Sequence, residues 1–174
     1  MNQTIKDLLE RRSIRKYKSE QILSEELDII LKAGSYAPSS MGKQSAILIA
    51  VQDKDTIEEL EKLNASFSPN PKSKPFYGAP TVVLVLGDKN NKNNIKDGSL
   101  CMGNMMNVAQ SLNIGSCWIN RVYETFESEE GKVLLKKWGV DGEYIGVGAC
   151  ILGYPDCELP KPAARKENYI YYIK

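Results

Sequence analysis

Short apolar runs alternate with segments of helical spacing along this chain, and that alternation constrains the fold more than any other feature. Strand-like runs occupy residues 46–51, 81–86, 116–120 and 144–152. Helical spacing of apolar residues occurs at 4–10, between Ser24 and Pro38, and at 56–63, 97–112 and 128–138. Apolar runs bounded by turn residues predict strands, whereas apolar residues three and four apart predict helices. The sequence therefore predicts a helix-rich α+β fold, one domain over residues 1–174, around a sheet of four or five strands.

Capping residues predict where several helices begin and end. Ser24 is an expected N-cap, because its hydroxyl can accept from the first free backbone amides, and Glu25 and Glu26 follow in the first turn. The same helix must end before Pro38, since the residue before a proline avoids helical backbone. Asp97 is the expected N-cap of the long helix at 97–112.

The long helix has an unusually apolar surface. One face consists of Leu100, Asn104, Val108 and Leu112, and it is flanked by Met102, Met105 and Met106. Methionine usually fills gaps in cores and at interfaces. The pattern predicts a helix buried on more than one side, in the core or against a second subunit.

The segment at residues 169–173 consists only of tyrosine and isoleucine and is strand-like and strongly apolar for a chain end. An apolar strand left alone would present an exposed, adhesive edge. We therefore expect this segment to pair with a sheet, either in its own subunit or in a partner.

Composition excludes several classes of protein. The net charge is only +1, and no stripe of alternating basic and aromatic residues is present, which argues against nucleic acid as a partner. No apolar run approaches the ~20 residues that a membrane-spanning helix needs, so no membrane partner is expected. The first residues lack the apolar core of a signal peptide, which favours a cytoplasmic location.

The chain contains no histidine, which removes most protein-borne acid–base and metal chemistry near neutral pH. Its four cysteines form no C-x-x-C pair, so no metal site is expected. Cys101, Cys117 and Cys150 are interpreted as small, reduced, buried side chains. No phosphate-binding glycine motif is present either, and the glycines at 146 and 148 are interpreted as sites of close strand packing.

An arginine cluster remains as the candidate binding site. Arg11, Arg12 and Arg15 surround Ser13 within five residues. A guanidinium group can form bidentate hydrogen bonds to two phosphate oxygens. The alternative is that Arg11 and Arg12 only supply positive charge at the C-terminus of the preceding helix. The segment alone leaves both interpretations open.

Companion motifs along the chain give the cluster a context. They are Pro38-Ser39-Ser40 with Gln44 before a strand, Gly115-Ser116-Cys117-Trp118-Ile119 after the long helix, and Gly153-Tyr154-Pro155 followed by Lys161 and Arg165. In this order the elements resemble the nitroreductase family of flavin mononucleotide (FMN) enzymes, particularly its short members, from Ile5 to Arg165. The resemblance implies a mostly antiparallel sheet flanked by helices, with the long helix at the centre of a homodimer.

The resemblance also implies a set of cofactor-binding residues. One subunit would hold the flavin phosphate and the polar edge of the ring with Arg11, Arg12, Ser13 and Arg15. The second subunit would approach with Pro38, Ser39, Ser40 and Gln44. Main-chain groups near Trp118, Ile119 and Asn120 would lie along the ring, and Arg165, with Lys161 as a weaker candidate, would close on the phosphate.

The implied activity is hydride transfer from NADH or NADPH through flavin N5 to a small acceptor such as a nitroaromatic compound or a quinone, in ping-pong order. No side chain would be catalytic in itself, although Arg15 would stabilise negative charge on the reduced flavin.

The sequence departs from the family pattern at two positions. Many members read P-S-S-x-N-x-Q-P-W, whereas Gly42 and Ala46 stand here at the Asn and Trp positions. We expect residues 66–77, a loop with three prolines, to influence acceptor choice.

Two other functions fit the same residues. The chain could bind flavin as a carrier or sensor without oxidising a nicotinamide. It could also be a small module for another phosphorylated ligand. Bleaching of bound flavin by NAD(P)H separates the enzyme from the first alternative, and retention of added FMN separates it from the second.

Overall fold

The computed structural model describes residues Met1–Lys174, and its order of elements matches the predicted alternation. The helices are α1 (Gln3–Glu10), α2 (Ser24–Ser35), α3 (Lys54–Ser66), α4 (Asn94–Ser111), α5 (Val122–Glu127) and α6 (Glu129–Lys137). The strands are β1 (Ala46–Val51), β2 (Thr81–Asp88), β3 (Gly115–Ile119) and β4 (Tyr144–Gly153). A single 3-10 turn, Ser40–Gly42, lies between α2 and β1.

The four strands form one antiparallel sheet in the order β1-β2-β4-β3. The central pair β2 and β4 runs in register from Thr81 opposite Leu152 to Asp88 opposite Tyr144, with one irregularity between Val85 and Leu86. Strands β1 and β3 occupy the two opposite edges. The predicted α+β fold with an antiparallel sheet is confirmed, at four strands.

The sheet is buried on both faces, so the chain has two hydrophobic cores. Val82, Leu84 and Leu86 of β2 belong to the core shared with α3, α5 and α6. Val83 and Val85, on the opposite face, pack with α2 and α4. This alternation follows from the two-residue period of a strand. Met102 and Met105 of α4 are completely buried in the second core, as their apolar character predicted.

Two of the three glycines of β4, Gly146 and Gly148, confirm the interpretation of close packing. A Cβ atom at Gly146 would overlap the backbone of Val122, where α5 begins. A Cβ atom at Gly148 would lie 2.7 Å from Cε2 of Trp118 on the neighbouring strand β3. Neither glycine is needed for a ligand in this geometry. Both permit a neighbouring element to approach the strand backbone.

Two predicted N-caps were wrong, one by one residue and the other by four. Ser24 is the first helical residue, and Leu23 occupies the N-cap, where its amide donates to Oε2 of Glu26 at 2.9 Å. Asp97 lies inside α4, whose N-cap is Asn93. The Asp97 side chain points instead towards the residues before β1, because donors there satisfy its carboxylate.

Other predictions need correction for tertiary reasons. Strand β1 was expected to be buried, but most of it is half-buried because it lies at a sheet edge. The buried side of α4 is formed by Cys101, Met102, Met105 and Ala109 rather than by the predicted face, and Leu100 is 47% exposed. The sequence pattern did not reveal α5, which has only six residues.

The C-terminal segment does not pair with the sheet of its own chain. Every residue from 157 to 174 is exposed, and none is in a strand. Pairing within the same subunit was therefore a wrong prediction, whereas pairing with a partner stays a prediction. None of the helices is both long enough and apolar enough to cross a lipid bilayer.

Candidate functional site

The arginine cluster lies in an extended segment held against the edge strand β3. Ser13 forms a parallel bridge with Ser116, and the amide of Ile14 donates to the Ser116 carbonyl at 3.0 Å. Ile14 is only 2% exposed and packs on Gly115, where a Cβ atom would lie 3.0 Å from Ile14 Cβ. Because neighbouring side chains of an extended segment alternate, Ser13 and Arg15 point away from this buried anchor.

A half-buried tyrosine, Tyr17, secures the far end of the same segment. The Tyr17 hydroxyl donates to the Ile14 carbonyl at 2.5 Å, and Tyr17 itself forms a bridge with Pro155 after β4. Burial, with smaller contributions from the thiols of Cys117 and Cys150, raises the pKa of Tyr17 far above its usual value of 10.0. The phenol therefore keeps its proton and its bond to the backbone throughout the physiological range.

Two guanidinium nitrogens of the cluster are buried without any hydrogen-bond partner. They are Nη1 of Arg11 and Nε of Arg12. The ion pairs of the chain are Lys16–Asp156, Lys89–Glu127 and Lys132–Glu129, so no carboxylate neutralises the cluster. Buried donors without an acceptor are costly, and a bound anion is one kind of group that would satisfy them.

The helix-end interpretation is also partly right, for Arg12. Its Nη1 donates to the carbonyl of Leu9 at 2.9 Å and to that of Arg11 at 2.7 Å. One edge of this guanidinium therefore caps α1, while its Nε remains free. The structure thus shows a helix-end role for Arg12, and the unpartnered nitrogens of Arg11 and Arg12 are available to an anion.

Arg15 is exposed and joins the cluster to a residue that the sequence pattern did not single out. Its Cζ lies 5.9 Å from the centre of the Tyr77 ring, within the range of a cation–π contact. Tyr77 has a left-handed backbone with φ 53°. It stands at the end of the predicted 66–77 loop, and no pattern in the sequence marks its contact with Arg15.

The end of β3 and the residue that follows it are held in place by the buried side-chain amide of Asn64. Trp118 is half-buried and covers Gly148, Ile119 is 7% exposed, and Asn120 is exposed. Nδ2 of Asn64, a residue of α3 with 1% exposure, donates to the Asn120 carbonyl at 2.9 Å. Asn64 was missed by sequence reasoning because a lone asparagine in a helix carries no signal of what it holds.

The residues from Pro38 to Gln44 form a tight loop with an unusual backbone. Positive φ angles occur at Met41 (55°), Gly42 (66°) and Gln44 (49°), and Oγ of Ser39 accepts from the Gln44 amide at 2.9 Å. Glycine and asparagine are the residues that adopt a positive φ most readily. Gly42 therefore suits its left-handed backbone, and asparagine would be the next most compatible residue there.

The predicted site residues thus fall into two groups at opposite edges of the sheet. The arginine segment and Trp118–Asn120 lie at β3, while the Pro38–Gln44 loop precedes β1. Three strand spacings separate the edges, which is about 14 Å. Arg165 and Lys161 belong to neither group, since both are exposed in the C-terminal segment and Arg165 donates only to the Ala163 carbonyl.

Two cavities accompany these groups. One of about 610 Å³ between α2, β1 and α4 is lined by Ser39, Gln44 and Asp97, among others. A larger one of about 720 Å³ lies between α3 and the loop before β2, and it contains none of the predicted site residues. Of the predicted site residues, Ser39 and Gln44 line the smaller cavity, whereas the arginine segment and Trp118–Asn120 line neither of the two.

Comparison with known proteins shows where this arrangement belongs. The Nitroreductase family model matches residues 8–154. A protein of Archaeoglobus fulgidus with the provisional name NADH dehydrogenase/NAD(P)H nitroreductase is 30% identical over 163 residues, which cover 91% of this chain and 88% of that protein.

Solved structures agree with the sequence comparison. A nitroreductase with bound FMN from Bacteroides fragilis is 30% identical, superposes with a TM-score of 0.92 and covers 100% of both chains. One with bound FMN from Desulfitobacterium hafniense is 26% identical, with a TM-score of 0.88 and the same coverage. The sheet order, the extended arginine segment and the family match together lead to one conclusion: this chain belongs to the nitroreductase family.

Proposed function

We propose that the chain is an FMN-dependent oxidoreductase that takes hydride from NADH or NADPH and passes it to a small conjugated acceptor, such as a nitroaromatic compound or a quinone. Donor and acceptor would use the same slot in turn, in ping-pong order. Family membership and two FMN-bound structural relatives support this proposal. The observation that carries it is the pair of buried guanidinium nitrogens, on Arg11 and Arg12, that have no acceptor.

The residues at the β3 edge fit FMN by their chemistry. Arg11 and Arg12 would bind the phosphate, because their free donors need an anion and no carboxylate competes for them. Ser13 and Arg15 would bind the polar edge of the ring from the side of the segment opposite Ile14. Backbone groups of Trp118, Ile119 and Asn120 would complete this half of the site.

The redox chemistry would come from the cofactor, which when bound accepts a hydride and delivers it to the second substrate. The chain supplies binding, orientation and charge. Arg15 would stabilise negative charge at the ring edge, where a charge-assisted hydrogen bond contributes about 1.5–3 kcal/mol. Tyr77 would orient the Arg15 guanidinium through their cation–π contact.

We further propose a homodimer in which each flavin lies between two subunits. The two groups of site residues lie at opposite edges of one sheet, so a second chain has to supply the Pro38–Gln44 loop. Exposed apolar side chains on several elements also lack cover: Ile5, Leu8 and Leu9 of α1, Ile29 of α2, Leu100 of α4, and Tyr169–Ile173 of the C-terminal segment. At full extension residues 157–174 span about 60 Å, enough to reach across a neighbour.

The decisive experiment is an absorption spectrum after incubation with FMN and desalting, followed by anaerobic addition of NADH and of NADPH. We expect retained flavin bands that bleach with at least one nucleotide. Retention without bleaching would refute the enzyme in favour of a flavin carrier. Loss of all flavin would refute the cofactor assignment itself.

A matched pair of variants tests the proposed phosphate site. We expect Arg11→Ala with Arg12→Ala to abolish FMN retention. Lys16→Ala serves as the control, because this neighbouring cation is exposed and already paired with Asp156 at 3.0 Å. Equal loss of FMN in both variants would contradict a specific role for the two arginines.

A further inference from the structure

Asp97 is a buried carboxylate for which the proposed chemistry gives no role. It is 4% exposed and lies in the first turn of α4. Its Oδ1 accepts from the Ser40 amide at 3.0 Å, and its Oδ2 accepts from the Ser45 hydroxyl at 2.9 Å. No cation pairs with it, so these two donors and the positive end of α4 must stabilise its charge.

Both donors belong to the Pro38–Gln44 loop or its immediate end. The loop has left-handed backbone at Met41 and Gln44, a conformation that side chains with a Cβ atom adopt only at an energetic cost. Such a conformation persists only when its surroundings fix it. Asn93, which precedes α4, adds a third contact, since its Nδ2 donates to Oγ of Ser40 at 2.8 Å.

We propose that Asp97 is a positioning residue that holds the Pro38–Gln44 loop in shape to complete the flavin site of the partner subunit. This inference rests on the proposed function. It goes beyond it by connecting α4, the helix placed at the dimer centre, to the cofactor through one carboxylate. Asp97 would act in trans, on the site formed around the arginines of the other chain.

The geometry explains why a carboxylate is suited to this position. Two acceptor oxygens face two donors that point from different parts of the loop, one from backbone and one from a hydroxyl. Asparagine can keep the bond from the Ser40 amide through its own oxygen. Its amide nitrogen can donate to the Ser45 hydroxyl, which then accepts. Alanine loses both bonds and leaves the loop without its anchor.

The first test compares FMN affinity among variants by titration. We expect Asp97→Ala to weaken FMN binding by about tenfold or more, because two charge-assisted bonds are lost, and Asp97→Asn to stay within about threefold of the wild type. Ser45→Ala, which removes one donor, should fall between them. It also keeps the test usable if Asp97→Ala does not fold.

A control separates positioning from general loss of stability. Met102 is a completely buried neighbour on α4 that does not line the cavity beside the loop. We expect Met102→Ala to lower the melting temperature at least as much as Asp97→Ala, yet to keep FMN affinity within about threefold. The proposal is overturned if Met102→Ala loses FMN equally, or if Asp97→Ala and Ser45→Ala both bind as the wild type does.

A mixed dimer tests action in trans. One chain carries Arg11→Ala with Arg12→Ala, the other carries Asp97→Ala, and different tags allow the heterodimer to be isolated. If Asp97 acts on the partner's site, one site combines both defects while the other is intact, and one FMN per dimer binds with wild-type affinity. If neither site binds normally, the proposal is overturned. A wild-type protein that binds no FMN overturns the proposed function as well.

Discussion

Gly146 and Gly148 of β4 allow a sharp prediction, because the same substitution meets a rigid obstacle at the first and a movable obstacle at the second. An added Cβ at Gly146 would lie 2.6 Å from the Tyr123 amide nitrogen and would overlap the Val122 carbonyl, so strand or helix backbone must shift. An added Cβ at Gly148 meets only the indole of Trp118, at 2.7 Å from Cε2 and 2.8 Å from Nε1. A side chain can rotate where backbone cannot.

Overpacking of a well-filled interior costs about 1–3 kcal/mol and occasionally more. We therefore expect Gly148→Ala to lower the free energy of unfolding by about 1–3 kcal/mol and Gly146→Ala by about 3 kcal/mol or more. In a chain of this length each kcal/mol shifts the melting temperature by about 2–4 °C. Gly146→Ala should thus melt at least about 6 °C below the wild type.

The assay is urea unfolding of FMN-free protein at one fixed protein concentration. A Trp138→Phe background leaves Trp118 as the only tryptophan, so its emission reports directly on the indole beside Gly148. We expect Gly148→Ala to shift that emission and Gly146→Ala to leave it near its original wavelength. A larger loss of stability in Gly148→Ala than in Gly146→Ala would refute the reasoning from rigid and movable neighbours.

Three further predictions use separate features. Alkylation of native protein should modify Cys157 alone, since the other three thiols are buried, and mass spectrometry after denaturation should find four modified sites. Burial raises the pKa of Cys150 from 9.0 to about 12. Because the folded chain holds this proton more tightly than the unfolded chain, stability should be full below pH 9 and fall towards pH 12, by up to about 1.4 kcal/mol per pH unit, in denaturation at several pH values. Leu100→Lys should convert a dimer to monomers in light scattering and lower FMN affinity, whereas Val133→Lys, which is also exposed, should do neither.

The fold was largely predictable because its decisive signals are local. The runs that became β2 and β4 are apolar on both faces, and a strand between two layers of helices requires that pattern. Helix α5 was not predicted, because a helix of six residues has too few turns for its apolar residues to show helical spacing. The Asp97 prediction failed for a different reason. Aspartate before an apolar helix usually caps it, and only the folded chain shows that a loop 57 residues earlier supplies better donors.

The part of the candidate site that was predictable from the sequence is the arginine cluster, because its charges lie close together along the chain. Three arginines within five residues are visible in a sequence, and the structure adds that two of them, Arg11 and Arg12, have a buried nitrogen without a partner. The contacts of Tyr77, Asn64 and Asp97 were not predictable from the sequence, because each of these residues reaches partners that are distant along the chain. The C-terminal strand was inferred from the apolar character of the segment, but in the structure this segment is exposed and pairs with no strand of its own chain.

The placement of the two half-sites at opposite edges of one sheet has a consequence for the proposed dimer in dilute solution. A folded single chain would carry two incomplete surfaces and no complete pocket, so cofactor binding and association would be linked by mass action. Flavin would stabilise the dimer, and dilution would release flavin from chains that are still folded. The apparent affinity for FMN would then rise with protein concentration, and the cell would set the fraction of active enzyme through its expression level as well as through its supply of flavin.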